Sequence, residues 1–232
     1  MRIGGFQKLT LLDYPGQVAC IVFTAGCNFR CPFCHNGELV TGVEETWPVS
    51  EEEVFAYLEK RRGILDGLVL SGGEPLLQPD AEAFIRHVRE LGYLVKLDTN
   101  GSFPDRLKRL LDEGLLDYVA MDIKAAPERY GAVIGRDAAD ILPRIRRSVA
   151  LLRERGVPHE FRTTLVKGLH REEEIPGIAA WIAGEEAYYL QSYKETEGVL
   201  APDGLESFSH EELHRMLAAA REICPGAWLR GE

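Results

Sequence analysis

Short apolar stretches alternate with helical patterns along most of this sequence. Six of them have the pattern of strands, and several of these are nearly continuous hydrophobic runs, as expected for parallel strands buried on both faces. The six stretches cover residues 18–26, 67–73, 93–101, 117–125, 160–168 and 187–193. Helical periodicity covers residues 50–62, 80–92, 103–114, 138–156 and 209–223, and less regularly 171–184. The alternation predicts an α/β protein with a parallel sheet.

Residues typical of helix ends support these boundaries. Ser50 is a predicted N-cap, and Glu53 stands at the capping-box position three residues later. Gly92 is predicted to follow the last turn of the second helix. Pro143 is expected near the start of the fourth helix or at a kink in it, because proline lacks the N–H donor that a helix interior needs.

The number of strand–helix units limits the architecture. A complete eight-unit barrel typically needs about 250 residues, whereas this chain has 232 and begins with a hairpin-like segment. Six units predict a partial (β/α)6 TIM-like barrel with parallel strands. We expect a single domain over 1–232, composed of an N-terminal lead-in (1–17), the partial barrel (18–200), and a C-terminal helix and tail (201–232).

Polar motifs follow four consecutive strands of this predicted sheet. A cysteine-rich loop follows the first strand, and residues 71–75 (SGGEP), 98–101 (DTNG) and 121–124 (MDIK) follow or end the next three. The carboxyl ends of parallel strands meet at one edge, where the active sites of barrel enzymes lie. Four polar clusters at one edge predict an enzyme.

Three cysteines in the first loop carry the most specific signal. Cys27, Cys31 and Cys34 have the spacing Cys-x3-Cys-x2-Cys, which can hold three irons of a four-iron, four-sulfur cluster and leave the fourth iron open. A zinc or structural site is the alternative, although zinc usually draws on two ligand pairs. Cys20 and Cys224 are predicted to be buried thiols and not ligands.

The other three motifs do not identify a function when each is taken alone. Gly72, Gly73 and Glu74 could bring a ligand close to the backbone or form an ordinary turn. Residues 98–101 offer oxygen ligands or an Asx turn. Asp122 and Lys124 share one strand face, as a ligand site or as a buried ion pair.

Composition narrows the functional classes. The chain has 37 acidic and 27 basic residues and a formal charge of −10, which argues against general nucleic-acid binding. No apolar run approaches the ~20 residues needed to cross a bilayer, and residues 1–16 lack the long apolar region of a signal peptide. Five cysteines, three of them clustered, favour a reducing cytoplasm over a disulfide framework.

Together the motifs resemble the radical S-adenosylmethionine (SAM) superfamily. The cysteine trio matches its cluster motif, and 72–75 (GGEP) matches its strand-end motif. More narrowly, 12–16 (LDYPG), DTNG, MDIK and the Phe33-Cys34-His35 sequence are similar to glycyl-radical-enzyme activating proteins. Among these, the likeness is greatest to the activating proteins of anaerobic ribonucleoside-triphosphate reductase.

This resemblance implies a mechanism and its cofactors. Cys27, Cys31 and Cys34 would hold a 4Fe-4S cluster that reductively cleaves SAM, and the resulting radical would take a hydrogen from a glycine of a partner enzyme. The cofactors carry this radical chemistry, while the protein binds and orients them. A flavodoxin or ferredoxin would supply the electron, and neither nucleic acid nor membrane would be a partner.

The resemblance also assigns roles to individual residues. Gly72, Gly73 and Glu74 would meet the methionine amine of SAM, and Lys124 its carboxylate. Phe33 and His35 would lie beside the adenine. Asp98, Asn100 and His170 would also lie beside SAM. A monovalent cation would be held by Asp98, Thr99 and Asp122. An exposed loop histidine is the alternative for His170.

Two other functions stay open at this point. One is a radical SAM enzyme acting on a small molecule, of the 7-carboxy-7-deazaguanine synthase type. The other is a metal-binding or electron-carrying module without SAM chemistry. The activase interpretation expects residues 12–16 to line an open side of the barrel, with Asp13 contacting a peptide backbone, whereas a plain turn is the alternative for that segment.

The cluster interpretation makes a prediction for Cys31→Ser. We expect a folded protein with little stable four-iron cluster, because serine oxygen is a poor substitute for a soft sulfur ligand. Iron and sulfide content after anaerobic reconstitution is the measurement. Wild-type iron content together with wild-type SAM cleavage in the variant would refute the cluster assignment.

Overall fold

The structure, a computed structural model, describes residues 1–41, 48–184 and 187–231. Eight strands form one sheet in the order β1 to β8, so that each strand pairs with its neighbours in sequence. β1 is antiparallel to β2, and all later neighbours are parallel. The strands are β1 (Ile3–Thr10), β2 (Ala19–Thr24), β3 (Gly67–Gly72), β4 (Leu94–Thr99), β5 (Tyr118–Asp122), β6 (His159–Leu165), β7 (Ala187–Ser192) and β8 (Ala227–Arg230).

Helices connect the parallel strands. The α-helices in the described ranges are α1 (Gly37–Thr41), α2 (Glu51–Lys60), α3 (Ala81–Glu90), α4 (Pro104–Asp112), α5 (Tyr130–Ile134), α6 (Ile141–Arg155), α7 (Ile175–Trp181) and α8 (His210–Arg221). None of them is long and apolar enough to span a membrane. Short 3₁₀ turns occupy Pro75–Leu77, Pro127–Arg129 and Glu172–Glu174.

The two faces of the sheet differ in chemistry because side chains alternate along each strand. On β2, Cys20 and Val22 belong to the main hydrophobic core that also includes the buried faces of the helices. Ala19 and Ile21, on the opposite face, belong to a small apolar cluster with Tyr14. Beyond this small cluster, the inner face of the half-barrel becomes polar towards the carboxyl ends of the strands, where the cavity described below lies.

The predicted fold class is confirmed. All six predicted strands are present as β2 to β7, which form a mostly parallel, partly closed sheet with helical connections. The structure adds β1 within the predicted lead-in and β8 within the predicted tail, whose last residue, 232, lies outside the described residues. β8 has only four residues, too few for a periodic pattern to distinguish it from a loop.

Helix-end signals are also confirmed. The Ser50 side chain accepts a hydrogen bond from Glu53 N, Gly92 has a φ of +93° directly after the end of α3, and Pro143 lies in the first turn of α6. Cys20 and Cys224 are buried, as predicted.

Two glycines bring the ends of β2 and β3 into close contact. A Cβ atom on Gly73 would lie 2.1 Å from Gly26 O, and one on Gly72 would lie 2.4 Å from Thr24 N. Gly72 also has a φ of +106°, a conformation that disfavours other residues. The pair is therefore required by packing against the protein's own backbone, at the point where the cysteine loop leaves β2.

We expect Gly73→Ala to destabilise the protein by about 1–3 kcal/mol, the usual cost of an overpacked site, because Gly26 O belongs to the backbone and cannot rotate away. The thermal midpoint of the metal-free protein is the measurement. Gly177→Ala is the matched control: only Ala126 Cβ, at 3.5 Å, lies near its new methyl group, so α7 should gain about 0.5–1 kcal/mol. Equal midpoints for the two variants would contradict the packing argument.

Candidate active site

A cavity of about 420 Å³ opens at the carboxyl ends of the parallel strands. This volume falls within the range of about 300–1,000 Å³ typical of small-molecule sites. Each of β3 to β7 contributes at least one polar side chain to it: Ser71, Asp98, Asp122, Arg162, Thr164 and Gln191. Most of the residues that the sequence analysis singled out also line the cavity: Asp13, Cys27, Cys31, Phe33, Cys34, His35, Gly72, Gly73, Asp98, Thr99, Asn100, Asp122 and Lys124.

The three predicted cluster ligands lie together in this cavity. Burial raises the pKa of Cys27 to about 11 and that of Cys31 to about 12. Two N–H groups lie against Cys27 Sγ: Phe29 N at 3.4 Å and Asn100 Nδ2 at 3.9 Å. Donors aimed at sulfur suit a thiolate, and such hydrogen bonds tune iron–sulfur clusters. This donor set fits the predicted 4Fe-4S cluster.

The described residues contain no set of three or more His, Cys, Asp or Glu side chains gathered around one metal-ion position. A four-iron cluster is bound differently, because each thiolate binds its own iron. The loop that carries the thiols is held in its middle and at its end: Arg30 N donates to Ile134 O at 2.8 Å, and Asn36 Nδ2 donates to Gly72 O at 3.3 Å.

Glu74 lies beside the cavity, but its side chain does not line it. Its fully buried carboxylate accepts hydrogen bonds from Leu76 N at 3.0 Å, Thr99 Oγ1 at 2.8 Å and Asn100 N at 2.7 Å. Burial raises the pKa of Glu74 to about 7, although these three donors oppose the shift. The carboxylate thereby joins the GGEP turn to the DTNG turn, whose Asn100 reaches Cys27.

The acidic residues at the ends of β4 and β5 form one ion-pair network. Asp98 Oδ1 lies 2.6 Å from Lys96 Nζ, and Asp98 Oδ2 lies 3.5 Å from Arg162. Asp122 Oδ1 lies 2.9 Å from Arg162 Nε, and Asp122 Oδ2 lies 2.9 Å from Lys124 Nζ. Burial alone would raise the pKa of Asp122, but the charges of Arg162 and Lys124 outweigh it and hold that pKa at about 2.

His170 is buried, with 3% of its surface exposed, so the alternative of an exposed loop histidine is wrong. Its Nδ1 accepts from Val166 N at 3.1 Å, so that Nε2 carries the proton and donates to Lys124 O at 2.8 Å. Burial lowers the His170 pKa and keeps the ring neutral. The side chain does not line the cavity. It fixes the backbone of Lys124 and contacts the Phe33 ring, with centroids 6.3 Å apart.

The predicted adenine neighbours occupy different environments. Phe33 is buried, with its ring centroid 5.8 Å from Lys124 Nζ. His35 is exposed, and its Nε2 lies 2.7 Å from Lys194 O. The Asn100 amide donates to Asn28 Oδ1 at 3.0 Å and accepts from Ser102 Oγ at 2.6 Å, so much of its hydrogen-bonding capacity supports the cysteine loop.

The sequence analysis missed Lys96 and Arg162, the two further cations of the ion-pair network. Both were visible in the strand alternation. Lys96 stands two residues before Asp98, and Arg162 shares the parity of Thr164 within a predicted strand. Residues two apart on a strand share a face, so the predicted orientation of Asp98 would have placed Lys96 beside it.

Comparison with known proteins identifies the class. Residues 21–181 match the radical SAM superfamily, and the chain belongs to it. This family implies a 4Fe-4S cluster and SAM as cofactors, which agrees with the thiol cavity.

The chain is similar to two differently assigned archaeal proteins. One, from Methanocaldococcus jannaschii, is assigned as a glycyl-radical enzyme activating enzyme and is 34% identical over 195 residues, 83% of this chain and 80% of that protein. The other is a 7-carboxy-7-deazaguanine synthase from Methanopyrus kandleri, 32% identical over 218 residues, 82% of this chain and 83% of that one. A radical SAM methyltransferase from Sphaerobacter thermophilus shares the fold, with a TM-score of 0.72 at 19% identity over 96% of this chain and 68% of the other.

The contacts of Glu74 predict that Glu74→Gln lowers the free energy of unfolding by about 1–3 kcal/mol, because the new amide group faces N–H donors. The Glu74 pKa is raised from 4.5 to about 7, so the free energy of unfolding of the wild type falls as pH rises between these values. Because the glutamine of the variant does not titrate, the difference in stability between the wild type and Glu74→Gln shrinks over the same range. Urea unfolding at several pH values is the measurement, with the exposed Glu90→Gln as control. Unchanged stability with lost SAM affinity would show a direct contact with SAM instead.

Proposed function

We propose that this protein is a glycyl-radical-enzyme activating enzyme, which uses SAM to remove a hydrogen from a glycine Cα in a partner protein. The observation that carries the proposal is the position of Asp13. This residue lines the same cavity as Cys27, Cys31 and Cys34 although it belongs to the segment before β2. The similarity to the Methanocaldococcus jannaschii protein over most of both chains supports the same conclusion.

The proposed roles of the cavity residues follow from their contacts. Cys27, Cys31 and Cys34 would hold the cluster, which when bound supplies one electron for cleavage of the carbon–sulfur bond of SAM. Lys124 Nζ lies between the Asp122 carboxylate and the Phe33 ring, where it can bind the SAM carboxylate.

The remaining cavity residues would position SAM around this contact. The backbone of Gly72 and Gly73 would meet the methionine amine, while Phe33 and His35 would flank the adenine. Glu74 and His170 act as positioning residues, through the DTNG turn and through Lys124 O respectively.

The N-terminal segment supplies a route for a peptide. Asp13 is exposed and lines the cavity, and the Thr10 hydroxyl donates a hydrogen bond to its carboxylate. Leu11 and Leu12 beside it expose 66% and 92% of their surface. Tyr14 is buried against β3 and β5 and anchors this segment. A carboxylate acceptor next to exposed apolar side chains suits a peptide backbone that carries a glycine to the cavity.

Further details of the proposal rest on the resemblance of the motifs. The partner would be a glycyl radical enzyme, with anaerobic ribonucleoside-triphosphate reductase as the first candidate. A flavodoxin or ferredoxin would deliver the electron, and the protein would work in the cytoplasm.

A second candidate is a small-molecule radical SAM enzyme of the 7-carboxy-7-deazaguanine synthase type. It is supported by the identity to the Methanopyrus kandleri enzyme, which is nearly as high and covers a similar share of the chain. Such an enzyme needs a site that shields its intermediate from water. The exposed Asp13 and its leucine neighbours favour the activase instead.

Anaerobic incubation with reductant, SAM and a candidate glycyl radical enzyme tests the function. We expect a glycyl doublet on the partner in electron paramagnetic resonance (EPR) spectra. Asp13→Asn should reduce the doublet yield while SAM cleavage without partner stays at the wild-type rate, because the proposed role of Asp13 is to contact the peptide and not SAM. The exposed Asp203→Asn is the matched control. SAM cleavage without a doublet on any candidate, together with turnover of a deazaguanine precursor, would refute the proposal.

A further inference from the structure

A lysine ammonium is buried beneath the SAM cavity. Lys96 exposes 2% of its surface and does not line the cavity. Its Nζ lies 2.6 Å from Asp98 Oδ1 and 6.0 Å from the centroid of the Tyr118 ring. Lysine is almost never buried this deeply without a partner, because the ammonium loses its hydration. The Asp98 carboxylate therefore compensates the buried positive charge of Lys96.

The ion-pair network around Lys96 contains more cations than carboxylates. Asp98 and Asp122 face Lys96, Arg162 and Lys124, which leaves one positive charge in excess. If Lys124 binds the SAM carboxylate, that carboxylate neutralises the excess positive charge. Two carboxylates then face two cations, Lys96 and Arg162, and the network is neutral.

This count covers the carboxylates and cations of the ion-pair network, and two further carboxylates near it leave the count unchanged. Glu160, on the same face of β6, is paired with Arg230 through two contacts of 2.8 Å. Asp13 lines the cavity but is exposed to solvent, which screens its charge. Without Lys96, the same network with SAM bound would carry one uncompensated negative charge in a buried place.

The predicted cation ligands also have protein donors already. Asp98 Oδ2 accepts from Ser71 Oγ at 3.0 Å, in addition to its contact with Arg162. Thr99 Oγ1 donates to Glu74 Oε1 and accepts from Gly101 N at 3.1 Å. A further cation here would add a positive charge to a balanced network and compete with these donors.

We propose that the Lys96 ammonium on Asp98, together with the Arg162 guanidinium that contacts both Asp98 and Asp122, takes the place of the monovalent cation predicted at Asp98, Thr99 and Asp122, so that SAM binding in this protein needs no metal cation beside the cluster. The proposal rests on the proposed function, in that SAM is the ligand. Lys96 is a positioning residue: it neutralises Asp98 and keeps Arg162 and Lys124 available for Asp122 and for SAM.

The wild-type protein provides the first test. The SAM dissociation constant of the reconstituted protein, measured from the change in the EPR spectrum of the reduced cluster, should be the same in potassium, sodium and N-methyl-D-glucamine chloride at constant ionic strength. The thermal midpoint of the metal-free protein should also be independent of the cation. Loss of SAM binding when potassium and sodium are both absent would overturn the proposal without any variant.

Lys96→Met provides the second test, because it leaves Asp98 without its ammonium. In N-methyl-D-glucamine chloride we expect SAM to bind on the order of tenfold more weakly, within the range of typical coupling effects. Potassium or sodium should restore the affinity and raise the thermal midpoint of the metal-free variant, because a cation that binds only the folded state stabilises it. Lys108→Met, which removes an exposed pair with Asp112, is the control and should show neither response.

The double variant Lys96→Met/Asp98→Asn keeps the test valid if Lys96→Met folds poorly. It removes both charges, so it should fold and show no response of its thermal midpoint to potassium. A Lys96→Met protein that binds SAM as tightly as the wild type in every medium would overturn the proposal. If the wild type neither binds nor cleaves SAM in any medium, the proposed function fails, while the thermal midpoints of the metal-free proteins still test the role of Lys96.

Discussion

The buried ion pairs among Asp98, Arg162, Asp122 and Lys124 are the constraint on which the rest of the site depends. They link the ends of β4, β5 and β6 inside the half-barrel. Each charge loses its hydration there, and removing one partner would leave another charge buried and unpaired. The network therefore restricts the positions of its own four side chains. It also holds Lys124 at the cavity wall, where an anionic group of a ligand can replace Asp122 as its partner.

A second set of contacts positions the cysteine loop. Glu74 binds the backbone of Asn100, and the Asn100 amide reaches both Asn28 and Cys27. Below it, Gly73 allows β3 to approach Gly26 more closely than any side chain would permit. The thiols that would hold the cluster are thus positioned by the turns that follow β3 and β4. The resemblance placed Glu74 in contact with SAM, whereas its hydrogen bonds place it one step further away.

The similarity of this chain to both an activating enzyme and a 7-carboxy-7-deazaguanine synthase has a structural basis. Both comparisons cover more than four fifths of this chain, so both include most of the half-barrel and the cluster loop. A barrel of this kind supports different chemistry through the segments that surround its cavity. In this chain, the segment before β2 brings an exposed Asp13 to the cavity beside exposed leucines. The proposed choice of a peptide substrate therefore rests on a part of the molecule outside the parallel strands.

The sequence by itself determined the parallel sheet of the partial barrel, the class of chemistry and most of the cavity residues. Near-continuous apolar runs specify buried parallel strands, and parallel strands bring their carboxyl ends together, so Cys27, Asp98 and Asp122 had to meet. Local patterns could not show which partners these side chains would choose. The four-residue strand β8, the burial of His170 and the hydrogen bonds of Glu74 all depend on residues far apart in sequence. The tertiary structure alone decided that Lys96 is buried without access to the cavity, because burial and charge balance are properties of the assembled sheet.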